Sequence, residues 1–472
     1  MTNRAIFCLA DVKAAVRGAL RAGEPLLALD GVSTDSRTVS EGNLFVALGG
    51  ESFDGNAFVA QAARAGARAA LVREGFTPSE PLPAGFGLVE TSDTLAALGA
   101  LARVHRRRFP SLKLGAVTGS NGKTTTKELA HAAISFAFGE SLKTEGNLNN
   151  EIGLPLTLLR LDPSHRAAVV EMGMSNPGEI GRLAAIAEPS AGLVTCAQAV
   201  HLEGLGSIEA VAKAKGELFH GLPPGAVAVA NLDDPLTLAE ARASRRPLLT
   251  FGTGAEADVR LVRIVSHDLR GLAFEVSFRG SDPAFVRIPL VGLHNAQNAC
   301  AALALGLALG AAPDRLLTGL AAAKGFLRRL ELKAAPGGVT VLDDCYNGNP
   351  ASAVAALRTS RALAGEGRVV AVLGDLRELG SFEESGHREV GAAAAEAKVA
   401  GLVAFGPRSR TTAAEAAARG IPDAAILSTD DPAEALAWLR RSLREGDLVL
   451  FKASRGTRLE RIADPLVKGE EV

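Results

Sequence analysis

The stretch Ala116-Val-Thr-Gly-Ser-Asn-Gly-Lys-Thr-Thr-Thr-Lys-Glu128 constrains this chain more than any other. Lys113 to Val117 reads as the end of a short buried strand and Glu128 to Phe138 as a helix, with Gly119 and Gly122 bracketing the turn between them. Glycines let a backbone wrap closely around an anion, and the helix behind offers unpaired N–H groups and a positive dipole end. Lys123 would reach the outer phosphates as a point charge, and the Thr124 hydroxyl would hold Mg2+. A glycine turn before an ordinary capped helix is the plainer reading of Gly-Lys-Thr alone, but strand, turn and helix in succession favour a phosphate loop. The usual motif has glycine at position 117, where this chain has Val117, so the loop is a variant whose first glycine is Gly119.

At 472 residues the chain exceeds what one core supports, and about three domains are expected. Hydrophobic residues at 47% and charged residues at 22% fit a globular enzyme rather than a disordered chain. A formal net charge of −1 supplies no bulk basic field, which argues against nucleic acid as the main partner. Cys8, Cys196, Cys300 and Cys345 are far apart and in no paired spacing, which suits a reducing cytosol and excludes a Cys-based zinc site. Asp11, Lys13 and Arg17 interrupt the N-terminal apolar run, so it does not read as a signal peptide. The Ala-rich stretch from Ala299 to Leu309 is too short to span a membrane. A cytoplasmic enzyme without membrane insertion is the expectation.

Up to about Arg103, short apolar runs alternate with polar breaks. Asn43 to Leu48 and Ala67 to Val72 read as strands, with a polar loop at Gly49 to Asn56 and a helix from Ala57 to Ala65 between them. Ser36, Arg37, Asp54 and Asn56 fall near strand ends, where a phosphorylated ligand could sit, although such residues commonly serve as turn and cap groups. Arg106-Arg-Arg108 reads as a solvated helix end and linker rather than a nucleic-acid patch.

Beyond the loop helix, Thr144-Glu-Gly-Asn-Leu-Asn-Asn-Glu-Ile-Gly-Leu-Pro155 is dense in amides. Three asparagines in four positions, Asn147, Asn149 and Asn150, suit a substrate- or Mg2+-lining loop better than a core face, a turn-rich connector being the plainer reading. Ala167 to Gly173 is an apolar strand with Glu171 near its carboxyl end, the edge at which open parallel sheets bind ligands. His201 follows the buried strand Ala191 to Thr195 and reads equally as a structural histidine or a metal ligand; a helix with Lys213 and Lys215 comes next. Val259 to Phe278 alternates as half-exposed antiparallel strands do, and Val291 to Asn298 opens a helix with His294 and Asn295 near its N-terminus. From Gly325 onward, strands at Val339, Val369, Val399 and Leu448 alternate with helices, implying a second doubly wound parallel sheet. Its polar residues gather at one edge: Asp344, Tyr346 and Asn347, then Gly374 to Gly380, then Lys452 to Glu460.

Together these segments resemble the Mur ligases, the ATP-dependent amide-forming enzymes of peptidoglycan precursor synthesis, in which the substitution at position 117 is normal. The order of the Thr144–Pro155 run, Glu171-Met-Gly173, Asp343-Asp-Cys-Tyr-Asn-Gly-Asn-Pro350 and Gly374-Asp-Leu-Arg-Glu-Leu-Gly380 is similar to the members that add D-alanyl-D-alanine to UDP-N-acetylmuramoyl-tripeptide. The Asp-Asn-Pro-Arg tetrapeptide of the diaminopimelate-adding relatives is not found here. The resemblance implies three α/β domains: a small UDP-binding domain at 1–103, a central P-loop ATPase-like domain at 104–324 and a Rossmann-like domain at 325–472 that takes the dipeptide.

It further implies that Gly119, Ser120, Asn121, Gly122, Lys123, Thr124 and Thr125 bind the ATP phosphates, with Thr124, Glu171, His201 and Lys215 at the Mg2+ site. Lys123, Glu171, His201 and Lys215 are thereby the catalytic candidates, and Lys215 matches a lysine that several of these ligases carry as a carbamate. Asn295 would face the adenine, with Arg329 and Asp344 reaching the nucleotide from the far side of the cleft; Arg328 competes with Arg329 for that role. Ser36, Arg37 and Asp54 would hold the UDP part, Asn147 and Asn150 the substrate, and Tyr346, Asn347, Ser454 and Arg455 the dipeptide. Asn56, Gly348 and Ala453 stand where His, Ala and Gly are usual. A monomer is expected. Another amino-acid or polyglutamate ligase on the same scaffold is the alternative, and a nucleotide-binding regulator without ligation the rival from another class.

Overall fold

The structure, a computed structural model, describes residues 3, 5–50, 54–198 and 205–470; His201 lies outside them. Three sheets form in succession along the chain, besides a two-stranded ribbon of Ile6–Cys8 and Ala28–Asp30. The first sheet has five strands, ordered Ala19–Ala22, Gly87–Thr91, Ala69–Arg73, Leu44–Val46 and Val32–Ser33, parallel except at the first.

The second sheet runs Ser141–Lys143, Ala167–Glu171, Lys113–Thr118, Ala191–Val194, Val227–Asn231, Leu248–Gly252 and Val259–Asp268, all parallel, then Gly271–Phe278 and Ala284–Ile288, each antiparallel to the strand before it. The third orders Glu331–Ala335, Val339–Asp344, Leu448–Lys452, Val369–Gly374, Gly401–Phe405 and Ile426–Thr429, with only the first antiparallel. The α/β class with parallel central and C-terminal sheets agrees with the sequence reading.

Sequence explains the parallel pairing. Ala167–Glu171, Val369–Gly374 and Leu448–Lys452 are buried at every position, as strands covered by helices on both faces must be. Topology then places the ligand site. Lys113–Thr118 lies between Ala167–Glu171 and Ala191–Val194, with Ser141–Lys143 beyond the first and the strands later in the chain beyond the second. The crevice outside its carboxyl end is therefore a topological switch point, where open α/β sheets take ligands.

One hydrophobic core runs from Phe7, Leu9 and Val12 through Leu98 and Leu101 to Leu114, Leu154 and Leu183. The helix Thr94–Arg107 is thus shared between the first sheet's surroundings and the central sheet. The opposite face of the central sheet is covered by the helices Lys123–Phe138, His294–Ala308 and Pro313–Ala321.

Two sequence expectations need correction. The helix after the phosphate loop starts at Lys123, not Glu128, because Gly122 already sits in the left-handed region at φ 80° and the Thr124–Thr126 run is helical. Nor is Arg106-Arg-Arg108 solvated as a whole. Arg106 is buried and donates to Phe109 O, while Arg107 clamps Glu188 and Arg108 lies over the Phe7 ring. The run bolts the shared helix to its neighbours.

Candidate active site

The loop from Gly119 to Lys123 is shaped by what it packs against. Gly119 has φ 140° and an added Cβ would fall 1.9 Å from Thr195 Oγ1; at Gly122 a Cβ would fall 2.4 Å from Asn298 Oδ1. Only glycine fits either position. Strand-end residues next door brace the loop: Ser120 N donates to Cys196 O at 2.8 Å, Thr195 Oγ1 to Asn121 O at 2.6 Å and Gln198 N to Ser120 Oγ at 2.9 Å. Lys123 Nζ folds over the loop and donates to Gly119 O at 2.7 Å and Ser120 O at 3.1 Å. Burial lowers its pKa, opposed by the nearby Glu171 carboxylate. Behind it stands the helix Lys123–Phe138, whose open N-terminus completes an anion cradle.

Glu171 ends its strand almost wholly buried. Its Oε1 accepts from Asn149 Nδ2 at 2.8 Å, its backbone N donates to Thr144 Oγ1 at 2.9 Å, and its Oε2 has no hydrogen-bond partner. A buried carboxylate oxygen left unmatched is costly unless a cation or proton meets it there. Thr144 is held in turn by the fully buried Lys127, whose Nζ donates to Thr144 O at 2.7 Å and pairs with Glu128 at 2.8 Å. Lys215, also buried, lines the same cleft; burial first, and then the Lys123 charge, push its pKa well below the ordinary lysine value. Among the described residues no cluster of three His, Cys, Asp or Glu forms a ready-made metal cage. Glu171, with its unmatched Oε2, and Thr124 line one cleft, a donor set that fits Mg2+, which binds through one or two protein groups and completes its shell with phosphate oxygens and water.

The facing wall comes from the third sheet. Asp344 Oδ2 meets Lys452 Nζ at 2.6 Å, the two being register partners at neighbouring strand ends, and Lys452 also donates to Asn347 O at 2.8 Å. Arg329 stacks over the Tyr346 ring at 4.4 Å and donates through Nη2 to Thr124 Oγ1 at 3.1 Å. Asn349 Nδ2 donates to Asn121 Oδ1 at 2.8 Å. Two side chains of the far wall thus touch the phosphate loop directly, enclosing a cleft of ≈ 1330 Å³. Arg328 points away, with Nη2 on Asp464 at 2.6 Å, which separates the roles of the two adjacent arginines.

Of the residues singled out from sequence, the cleft gathers Ser120 to Thr125, Asn147, Asn150, Glu171, Lys215, Asn295, Arg329, Asp344, Tyr346, Asn347 and Arg455. Asn150 doubles as a helix cap, accepting from Gly153 N at 2.9 Å, and Asn295 donates to Val291 O at 2.7 Å. Ser36, Arg37 and Asp54 do not line this cleft. Arg37 pairs with Asp35 at 2.7 Å, holding that carboxyl down at about 2, and Asp54 pairs with Arg73 at 3.2 Å. Ser454 does not line it either: its hydroxyl donates to Gly348 O at 2.9 Å. Sequence reasoning passed over Thr195, Gln198, Asn298, Lys127 and Asn349. Asn298 stood in the quoted Val291–Asn298 run, three residues from Asn295 and so one helical turn away, a spacing that could have revealed it.

The chain matches three family descriptions in order: "Mur ligase family, catalytic domain" over 28–106, "Mur ligase middle domain" over 117–306 and "Mur ligase, glutamate ligase domain" over 328–455. It is 38% identical to the UDP-N-acetylmuramoyl-tripeptide–D-alanyl-D-alanine ligase of Bacillus subtilis over 93% of each chain. Its structure matches that of MurF from Acinetobacter baumannii with a TM-score of 0.88 at 32% identity, covering 99% of this chain and 100% of that one. MurF from Thermotoga maritima, solved in complex with ADP, matches with a TM-score of 0.80 at 30% identity over 93% and 97% of the two chains.

Proposed function

The chain belongs to the Mur ligase family, and from that premise we propose that it joins D-alanyl-D-alanine to UDP-N-acetylmuramoyl-tripeptide using ATP, the ligation named for its similar relatives. It is an ATP-dependent ligase of peptidoglycan synthesis. The observation that carries the reading is the single cleft in which Arg329 and Asn349 of the far wall meet Thr124 and Asn121 of the phosphate loop. A carboxylate is a poor acyl donor, and phosphorylation makes it a good one; the resulting acyl phosphate must then meet an amine before it meets water. Two facing walls serve both needs.

In this reading residues 1–103 bind the UDP part through Ser36, Arg37 and Asp54, residues 104–324 hold ATP, and residues 325–472 bring the dipeptide. Lys123 exchanges its contacts with Gly119 O and Ser120 O for phosphate oxygens, neutralising charge that would repel the attacking carboxylate. Arg329 adds a second cation from the opposite wall, and Asn295 faces the adenine. Mg2+, held by Thr124, Glu171 and a carbamate on Lys215, would neutralise phosphate charge further, and His201, which lies outside the described residues, is assigned to the same site by the family resemblance alone. A lysine whose burial favours the neutral amine is chemically ready to take up CO2. Tyr346, Asn347 and Arg455 contact the dipeptide, while Ser454 ties together the loops that carry them. The protein acts as a cytoplasmic monomer, and among its described helices none is long and apolar enough to cross a membrane.

The test is ADP release from UDP-N-acetylmuramoyl-tripeptide and ATP with D-alanyl-D-alanine, with single amino acids, and with no amine. Release that depends on the dipeptide, matched by a pentapeptide product in the mass spectrum, is expected. Equal release with glutamate would favour a polyglutamate ligase instead.

A further inference from the structure

The strand Leu448–Lys452 runs into a short loop and then into the helix Glu460–Lys468, and the two ends of that loop carry an ion pair. Arg455 Nη1 donates to Glu460 Oε1 at 2.8 Å. A tight reversal brings the two side chains together: Arg455–Thr457 makes one 3-10 turn, Arg458 sits in the left-handed region at φ 55°, and the buried Leu459 anchors the helix start. The backbone of Arg455 is pinned as well. Its N donates to Asn347 Oδ1 at 3.2 Å, and its neighbour Ser454 donates through Oγ to Gly348 O at 2.9 Å and through N to Asp375 O at 3.0 Å.

From residue 325 onward the charged side chains that line the cleft are Arg329, Asp344, Glu378, Lys452 and Arg455. The carboxylate end of a dipeptide calls for a cation, which leaves three of them. Lys452 is 3% exposed and bound to Asp344 at 2.6 Å, and Arg329 is spent on Thr124 and the Tyr346 ring. The Arg455 side chain is 55% exposed and 5.9 Å from the same ring, and only its Nη1 donates to a described residue. Nε and Nη2 are left for a carboxylate. Glu460 is in the opposite condition: 19% exposed, with Oε2 buried and without a partner. The other cation near it, Arg328 at 3.6 Å, is already held by Asp464 at 2.6 Å. A carboxylate sunk to the point of leaving one oxygen unmatched costs stability, and its short contact is to the exposed guanidinium at the cleft.

We propose that Glu460 is a positioning residue, which holds the Arg455 guanidinium where its free edge takes the carboxylate end of the incoming dipeptide. This rests on the ligation reading given above. In steady-state kinetics of the full-length protein, Arg455→Met should raise KM for D-alanyl-D-alanine by about 10- to 100-fold, the usual loss for a charge-assisted hydrogen bond. Glu460→Gln should raise it by about 10-fold, with KM for ATP and for UDP-tripeptide unchanged in both. D-alanyl-D-alaninamide, which lacks the carboxylate, reports on the contact itself: the wild type should prefer the acid, Arg455→Met should use the two alike, and Glu460→Gln should fall between. The double variant supplies a readout that a merely structural role would not move. Where Glu460 acts through Arg455, Glu460→Gln adds nothing to KM once Arg455→Met is present. An undiminished preference for the acid in Arg455→Met, an unchanged dipeptide KM in Glu460→Gln, or additive effects in the double variant overturns the inference. Should Glu460→Gln not fold, Glu460→Asp, which draws the carboxylate back by one methylene, takes its place in the cycle with the same non-additivity expected. Failure of the wild type to use the dipeptide at all would instead overturn the ligation reading, so the two failures are distinguishable.

Discussion

Lys123 and Lys127 lie one helical turn apart and answer to different forces. Lys123 sits over loop carbonyls at the cleft, while Lys127 is enclosed and satisfied by Thr144 O and Glu128. Lys123→Ala should leave thermal unfolding nearly unchanged and lower kcat by about 100-fold or more, the usual scale for removing a preorganised charge from a transition state. Lys127→Met should instead destabilise the fold by about 1–3 kcal/mol, since it leaves a buried carbonyl and carboxylate short of a donor, and it should lower activity by loosening Thr144 and with it Glu171. Denaturant unfolding beside ADP release separates the two. Activity and stability both at wild-type levels in Lys127→Met would contradict the role given to it. Lys123 was legible in sequence because its glycine context is diagnostic. Lys127 was not, because a lysine on the first turns of a helix ordinarily points to water, and only the packed fold shows it enclosed.

Among the elements, the strand ends of the third sheet depend on His387. Its Nε2 accepts from Leu376 N at 3.3 Å and its Nδ1 bonds Thr412 Oγ1 at 3.0 Å, while Thr412 donates to His387 O at 3.1 Å. This set fixes the neutral ring with its proton on Nδ1. Burial lowers the His387 pKa, against the opposing pull of Asp375. A folded-state value below the unfolded one means that the stability is present above the unfolded value of about 6.5 and is lost as pH falls through the folded one. The melting temperature should therefore drop on acidification below that point, and less steeply in His387→Gln; parallel profiles for the two proteins would count against the assignment. The alternation of strands and helices was readable from apolar runs, because strands buried on both faces leave a continuous signature. The short edge strands Glu331–Ala335 and Ile426–Thr429 were not, since partly exposed edges carry no such run. The helix start at Lys123 was misread because Thr124 to Thr126 is a poor helix-forming run on propensity alone.

For the whole molecule, the cleft is closed by few contacts. Arg329 to Thr124 and Asn349 to Asn121 are the side-chain hydrogen bonds that join the loop to the far wall among the described residues. Removing both in Arg329→Ala/Asn349→Ala should raise the radius of gyration of the free protein in solution scattering, and ATP analogue with UDP-tripeptide should compact the wild type more than the double variant. Equal radii throughout would mean that the walls do not part. The sequence named the residues of each wall but not the contacts between them, because the meeting of Asn121 with Asn349, or of Thr124 with Arg329, is set by tertiary packing across more than two hundred positions. The central claim is that the cleft activates a carboxylate by phosphoryl transfer before an amine takes the acyl group. It is tested most directly with UDP-N-acetylmuramoyl-tripeptide labelled with 18O in the carboxylate that becomes the amide. The account predicts one 18O in each inorganic phosphate released with the pentapeptide. Phosphate free of label, or label leaving on AMP, would contradict it.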